Sequence, residues 1–300
     1  MTTDQHAEYV AGKAIIMQAD ARHLPLPDES VDLVVTSPPF FGHRTYQDDG
    51  QDCTGQVGQE ATAAEFVTSL LDATAEMMRV LKPTGSIFVN LGDRYAAKSL
   101  MGLPWRYAHA CTDRLGLTLR AEIIWAKPNA VPESVVDRVR RSHETWFHFT
   151  KQTRYFSTID VLREAHTTKP QRRFSKNIAQ AKGLDRPSGW AGRLRDEPGL
   201  DGHPLGKLPG SVWSIPTSPL RIPAAVKAAL DLPEHFAAFP QEWPRRIILG
   251  WSPEGGIVLD PFGGTGTTAM VAQRLGRVGI SGDLSGDYGR LARWRSEVPA

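Results

Sequence analysis

The stretch Gly256-Ile257-Val258-Leu259-Asp260-Pro261-Phe262-Gly263-Gly264-Thr265-Gly266-Thr267-Thr268 reads as a short buried strand, a glycine-rich turn and the opening of a helix. Glycines in such a turn let the backbone approach a ligand closely, and free N–H groups at the start of the next helix suit a carboxylate or phosphate. Beyond it, a helix is expected from about Thr267 to Leu275 and a strand at Val278-Gly279-Ile280. Asp283 follows 17 residues after Gly266, where an acid meets ribose hydroxyls in a doubly wound sheet. Ser281-Gly282 just before it predict a kink at the end of that strand.

No Gly-Lys-Ser/Thr follows the turn, which argues against a triphosphate loop. The turn opens instead on Asp260, an acid that repels a pyrophosphate but attracts the ammonium or sulfonium of S-adenosylmethionine. A nucleoside cofactor carrying positive charge therefore fits better than a dinucleotide.

The first half of the chain alternates strand and helix signals. Ala14-Ile15-Ile16-Met17 and Val31-Asp32-Leu33-Val34-Val35 read as buried strands, and the second runs directly into Thr36-Ser37-Pro38-Pro39-Phe40. Phe66, Leu70, Met77 and Leu81 share one helical face, Lys82-Pro83-Thr84-Gly85 stops that helix, and Ser86-Ile87-Phe88-Val89-Asn90 forms the next strand. Pro104 opens a helix through Arg114, and a strand ends in Ile123-Ile124-Trp125. With a further helix around Pro244 to Leu249, the pattern predicts an α/β fold: a doubly wound, mostly parallel sheet of the seven-stranded type, assembled from both ends of the chain.

The Ser-Pro-Pro-Phe turn has a chemistry of its own. A nucleobase amino group is a poor nucleophile because its lone pair is delocalised into the ring. Two acceptors, here Ser37 Oγ and the Pro38 carbonyl, would take its N–H bonds, favour a pyramidal nitrogen and aim the lone pair at a methyl donor. Consecutive prolines, Pro38 and Pro39, fix the carbonyl direction, and Phe40 offers a face for stacking a base. Alone, such a turn reads more readily as a plain proline turn after a strand.

Charge is distributed unevenly. Between Arg138 and Lys207 stand 15 Lys/Arg against 7 Asp/Glu, although the whole chain carries only +2. A basic segment in an acidic body is what phosphate binding produces, and a solvated loop region is the bland alternative. There the apolar period also fails, so 157–232 is expected to be an irregular insertion between a first half, 1–156, and a last part, 233–300. No apolar run is long enough to span a membrane, and the polar start Met1 to Tyr9 lacks a signal-peptide stretch, so a soluble, cytoplasmic protein is expected. Cys53 and Cys111 have neither metal-ligand nor disulfide spacing.

Taken together, these motifs resemble the bacterial and phage DNA amino-methyltransferases, specifically the permuted group in which the catalytic half precedes the cofactor half. The resemblance covers nearly the whole chain. It includes Gln18-Ala19-Asp20-Ala21-Arg22, Arg79-Val80-Leu81-Lys82-Pro83, Ile124-Trp125, Lys127-Pro128-Asn129, Asp137-Arg138 to His143-Glu144, and His235-Phe236-Ala237-Ala238-Phe239-Pro240. Gly276-Arg277 to Asp283-Leu284-Ser285 with Tyr288 completes it.

The resemblance implies S-adenosylmethionine as cofactor, held by Asp20, Thr36, Phe239, Asp260, Phe262, Gly264, Gly266, Thr267 and Asp283, with Asp20 on the cofactor adenine. It implies a catalytic turn of Ser37, Pro38, Pro39 and Phe40 acting on a flipped base in double-stranded DNA, with no metal. Ser-Pro-Pro usually accompanies methylation of cytosine N4 and Asp-Pro-Pro-Tyr that of adenine N6, so Ser37 favours cytosine. Adenine N6, an RNA or protein amide substrate, and a non-enzymatic DNA-binding role stay open beside it. Methylation at cytosine C5 would need a thiol nucleophile, and no Pro-Cys occurs. Phosphate and base contacts are expected from Arg44 and, in the target-recognition insertion, from Arg172, Arg173, Lys176, Arg186 and Arg193; His43, Tyr46 and Trp190 are further candidates. A homodimer and a cognate restriction endonuclease are the protein partners this family allows.

Overall fold

The computed structural model describes residues 12–42, 47–48, 50–166, 203–231 and 238–297. The main sheet has eight strands: β1 Ala14–Gln18, β2 Val31–Thr36, β3 Leu81–Leu91, β4 Thr118–Ala126, β5 His143–Thr150, β6 Val212–Ser214, β7 Ile257–Asp260 and β8 Val278–Asp283. Across the sheet they run β1-β8-β7-β2-β3-β5-β4-β6. All neighbours are parallel except where β5 meets β3 and β4. Among the described residues the α-helices are α1 Ala63–Val80, α2 Leu103–Leu115, α3 Ala224–Ala229, α4 Glu242–Trp251, α5 Thr267–Arg274 and α6 Gly286–Glu297.

Local chemistry accounts for these boundaries. Helix α1 starts on a capping box, with Thr62 Oγ1 accepting from Glu65 N–H at 3.2 Å and the Glu65 carboxylate accepting from Thr62 N–H at 2.9 Å. Its face of Phe66, Leu70 and Met77 is buried. Strand β3 alternates with period two: Ile87, Val89 and Leu91 join the core under α1 and α2, while Phe88 turns the other way onto Trp251 of α4. Burying each such side chain contributes about 1.5–3 kcal/mol. Helices therefore cover both faces, as the doubly wound expectation requires.

Strands β2 and β7, more than two hundred residues apart, are hydrogen-bonded neighbours with Leu33 opposite Val258 and Val34 opposite Leu259. From β7 the chain crosses through α5 to β8 on one side; from β2 it crosses through α1 to β3 on the other. The crevice at their carboxyl ends is thus a topological switch point, where open α/β sheets bind ligands.

The structure departs from the expected elements at β3, at β5 and in the insertion. Strand β3 begins at Leu81 and runs through Lys82-Pro83-Thr84-Gly85, which by composition reads as a stop. Strand β5 is antiparallel because residues 127–142 return from β4 without a crossover helix. The segment expected as one insertion, 157–232, divides: the described residues 159–166 and 203–209 belong to a unit of their own, whereas β6 adds an eighth strand beside β4 and α3 belongs to the main body. Within the small unit, Arg163 pairs with Asp160 at 2.6 Å and donates to the Gly206 carbonyl at 2.8 Å, and Glu164 bridges to Lys207. Among the described residues no helix is long and apolar enough to cross a membrane.

Candidate active site

The carboxyl ends of β2 and β7 open onto a cavity of about 380 Å³. Ser37, Pro38, Pro39 and Phe40 line one side, and Phe262, Gly264, Thr267 and Asp283 line the other. Asp20, at the end of β1, and Phe239 close the ends. The two motifs that stand at opposite ends of the sequence therefore share one pocket.

Three residues expected from the sequence as cofactor contacts are not part of this lining: Thr36, Asp260 and Gly266. Asp260 is buried, and a buried carboxylate needs its hydrogen bonds from within the protein. It accepts from Thr36 Oγ1 at 2.6 Å, Thr268 Oγ1 at 2.8 Å and Phe262 N–H at 3.2 Å. Burial raises its pKa to about 6 against the pull of those bonds. Asp260 and Thr36 thus join the two strand ends, and their charge and hydroxyl are spent inside the wall. Gly266 has φ +72 and opens α5; a Cβ there would lie 2.7 Å from Ala292 Cβ in α6, so its lack of a side chain serves helix packing.

The glycine turn is fixed by backbone bonds. Gly263 N–H donates to the Gly282 carbonyl at 2.8 Å. Gly264, at φ +48, donates its N–H to Asp283 Oδ2 at 2.9 Å, while Asp283 Oδ1 accepts from Ser285 N–H at 2.9 Å. The expected kink before Asp283 is absent, because β8 pairs with β1 through Gly282 opposite Met17 and Asp283 opposite Gln18. Burial raises the Asp283 pKa. Backbone N–H groups of Gly264, Leu284 and Ser285 thus hold the carboxylate, which keeps acceptor capacity toward the cavity. Asp20 is held by a fork from Arg22, with contacts of 2.9 and 2.6 Å, and that pairing lowers its pKa.

Beneath the turn lies a cation that no sequence motif singles out. Buried Arg295 donates to the Thr265 carbonyl at 2.8 Å, Thr265 Oγ1 at 2.5 Å and Thr267 Oγ1 at 2.9 Å, and burial lowers its pKa to about 10. It braces the loop from behind.

Behind the catalytic turn stands a polar chain. In the amide orientation that satisfies all its neighbours, Asn90, buried at the end of β3, donates to Ser37 Oγ and to Glu144 Oε2, each at 3.0 Å, and accepts from Trp146 Nε1 at 3.3 Å. The other Glu144 oxygen pairs with Lys127 Nζ, which sits 4.2 Å from the centre of the Trp125 ring. Asn90, Trp125, Lys127 and Glu144 all line the cavity. Asn129 exchanges two hydrogen bonds with Thr217, of 2.8 and 3.1 Å, fixing the 217–220 segment as a further wall. Phe40 packs on Gly92, where a Cβ would come within 2.6 Å of its ring.

In the sequence, Asn90, Lys127 and Glu144 belong to a strand or to family-like stretches and carry no role of their own. A signal existed: Asn90 is the lone polar side chain in the apolar run Ile87–Leu91, and such a residue near a strand's carboxyl end faces either a partner or a ligand. Cys53 also lines the cavity, yet burial and neighbouring acids raise its thiol pKa, so little thiolate is present. The expected DNA contacts Arg44, Arg172, Arg173, Lys176, Arg186 and Arg193, with His43, Tyr46 and Trp190, lie outside the described residues.

Comparison with known proteins adds an independent finding. A family model for DNA methylases of the N6/N4 type matches residues 31–293. Type II methyltransferase M.SmaI of Serratia marcescens is 32% identical over 93% of this chain and 89% of its own. Type II methyltransferase M.XycI of Xanthomonas campestris pv. cyanopsidis is 33% identical over 89% and 81%. Among solved structures, PvuII DNA methyltransferase (cytosine-N4-specific) superposes with a TM-score of 0.69 at 22% identity, covering 97% of this chain and 92% of that one. TTHA0409 of Thermus thermophilus, solved with S-adenosyl-L-methionine, superposes at 0.56 with 23% identity over 95% and 94%. At these identities the structural likeness shows the fold.

Proposed function

The chain belongs to the N6/N4 DNA methylase family, and on that premise we propose that it methylates the exocyclic N4 amine of cytosine in duplex DNA, using S-adenosylmethionine. The observation that carries this reading is the shared pocket: Ser37 and the Gly264 turn meet at the switch point between β2 and β7.

The cavity suits the cofactor. Gly264 presents backbone without a side chain, Asp283 keeps acceptor capacity for ribose hydroxyls, and Asp20 has acceptors for an adenine amine. Phe262 and Phe239 supply apolar walls. When bound, S-adenosylmethionine supplies an electrophilic methyl group.

Ser37 Oγ takes one N–H of the target amine, and the Pro38 carbonyl takes the other. Pro38 is buried, so the turn cannot relax, and positioning replaces covalent catalysis. The amine proton becomes acidic once the nitrogen is methylated and leaves to water. A paired base cannot reach this pocket, so the target nucleotide is extruded, and Phe40 offers its ring for stacking. The basic excess between Arg138 and Lys207 suits neutralisation of DNA phosphates. An uncharged hydroxyl at Ser37 supports cytosine over adenine.

The Type II names of the relatives support a restriction endonuclease of the same DNA site as the cellular counterpart, with action in the cytoplasm. Incubation with methyl-labelled S-adenosylmethionine and a mixture of duplex DNA, RNA and protein tests the substrate class. Label is expected in duplex DNA; label in RNA or protein alone would refute the reading.

A further inference from the structure

The chain Ser37–Asn90–Glu144–Lys127 has a second end, and it also reaches the cavity. Lys127 is anchored there on two sides. Glu144 takes one of its protons, and the Trp125 ring lies under the ammonium. An ammonium has three N–H donors, so donor capacity toward the cavity remains. With its side chain only 18% exposed, Lys127 is placed for a ligand inside the pocket rather than for a phosphate on the DNA surface. Glu144, bonded to Asn90 on one oxygen and to Lys127 on the other, also lines the cavity but can only accept, so Lys127 is the donor of the pair toward a base in the pocket.

The edge of the target base explains what such a cation is for. Cytosine presents, in a row, an amine, the acceptor N3 and the acceptor O2. Adenine presents an amine, the acceptor N1 and a C2–H. With the amine held at Ser37, a donor farther along the edge favours the pyrimidine, which has a carbonyl where the purine has a C–H. A site built to bond a group rejects an analogue lacking it, because its own polar atom is left unpaired.

We infer that Lys127 is a specificity-determining residue that donates to O2 of the flipped cytosine. This rests on the cytosine reading above. Sequencing the DNA methylated by the wild-type protein identifies the target position and the base. Duplexes are then made with cytosine at that position or with a 2-aminopyridine nucleoside, which keeps the amine and adjacent ring nitrogen but lacks the carbonyl. Single-turnover rates at saturating cofactor give the ratio between the two substrates for the wild type and for K127M/E144Q, a pair chosen so that no buried charge is left alone.

The wild type should favour cytosine by about 10- to 100-fold, the loss of one bond to a charged donor. In K127M/E144Q the ratio should fall to near one, whatever the overall loss of rate. A variant that keeps the wild-type ratio overturns the assignment, and so does a wild type indifferent to the carbonyl. A wild-type product of N6-methyladenine overturns the underlying cytosine reading, and does so before any variant is made. Should K127M/E144Q fail to bind cofactor in calorimetry, K127L/E144Q, which likewise removes the donor and leaves no charge alone, gives the same ratio test.

Discussion

Thr36 Oγ1 donates to Asp260 Oδ1 across 2.6 Å, so the residue before the catalytic turn is bonded to the residue before the glycine turn, 224 positions away in sequence. The bond is buried at the ends of two paired strands. It makes the two motifs one rigid unit. Thr36→Val keeps the shape and removes the donor, leaving Asp260 short of a partner. Urea unfolding should show a loss of about 1–3 kcal/mol. Cofactor affinity and turnover should fall together, and an unchanged unfolding midpoint would contradict the coupling.

The same acid predicts a pH dependence. Its folded pKa, about 6, lies above the ordinary 3.8, so the uncharged form is the one the fold favours. The stability this contributes is fully present below about pH 3.8 and is lost as pH rises through 6. Asp260→Asn removes the titration. Relative to that variant, the wild type should lose roughly 3 kcal/mol between about pH 4 and 7 in urea unfolding. A wild type that gains on the variant over this range would reverse the sign and refute the assignment.

The halves of the pocket should separate kinetically. Ser37→Ala removes an acceptor from the reacting amine, and single-turnover rates should drop by about 10²–10³ while calorimetric cofactor affinity holds. Gly264→Val puts a branched side chain at φ +48 on the cavity wall. Backbone strain there costs about 1–3 kcal/mol, and cofactor affinity should weaken by about tenfold or more with less change in rate at saturation. Equal loss of both properties in each variant would contradict the division of labour.

Much of this was legible in the chain. Glycines after Ile257-Val258-Leu259 and prolines after Val31–Val35 mark strand ends by composition, and each motif carries its chemistry locally. That β2 and β7 would pair followed from placing both motifs at one ligand. The Ser37–Asn90–Glu144–Lys127 chain was not legible, because its members sit at the ends of β2, β3, β5 and β4, and only strand order brings them together. The direction of β5 was hidden for a similar reason: alternating elements suggest parallel strands until a connection lacks its helix. Asp260 reads as a ligand contact because nothing local tells a cavity-facing carboxylate from one bonded to two threonines. The three residues of β6 follow a stretch of glycine and proline with no period to read.

Arg295 gives a test of support from beneath the glycine turn. Arg295→Met deletes three hydrogen bonds to Thr265 and Thr267, a loss of about 1.5–3 kcal/mol or more. Cofactor affinity should fall while turnover at saturating cofactor stays near that of the wild type. A variant with normal affinity would show that the loop holds its shape without the brace.

The central claim is the identity of the methylated atom. The purified protein, incubated with duplex DNA and S-adenosylmethionine carrying a deuterated methyl group, gives DNA whose digested nucleosides can be separated and weighed by mass spectrometry. The Ser37 turn predicts deuterated N4-methylcytosine, formed far more slowly by the Ser37→Ala control. Deuterated N6-methyladenine as the sole product, or no transfer to DNA at all, would contradict the account.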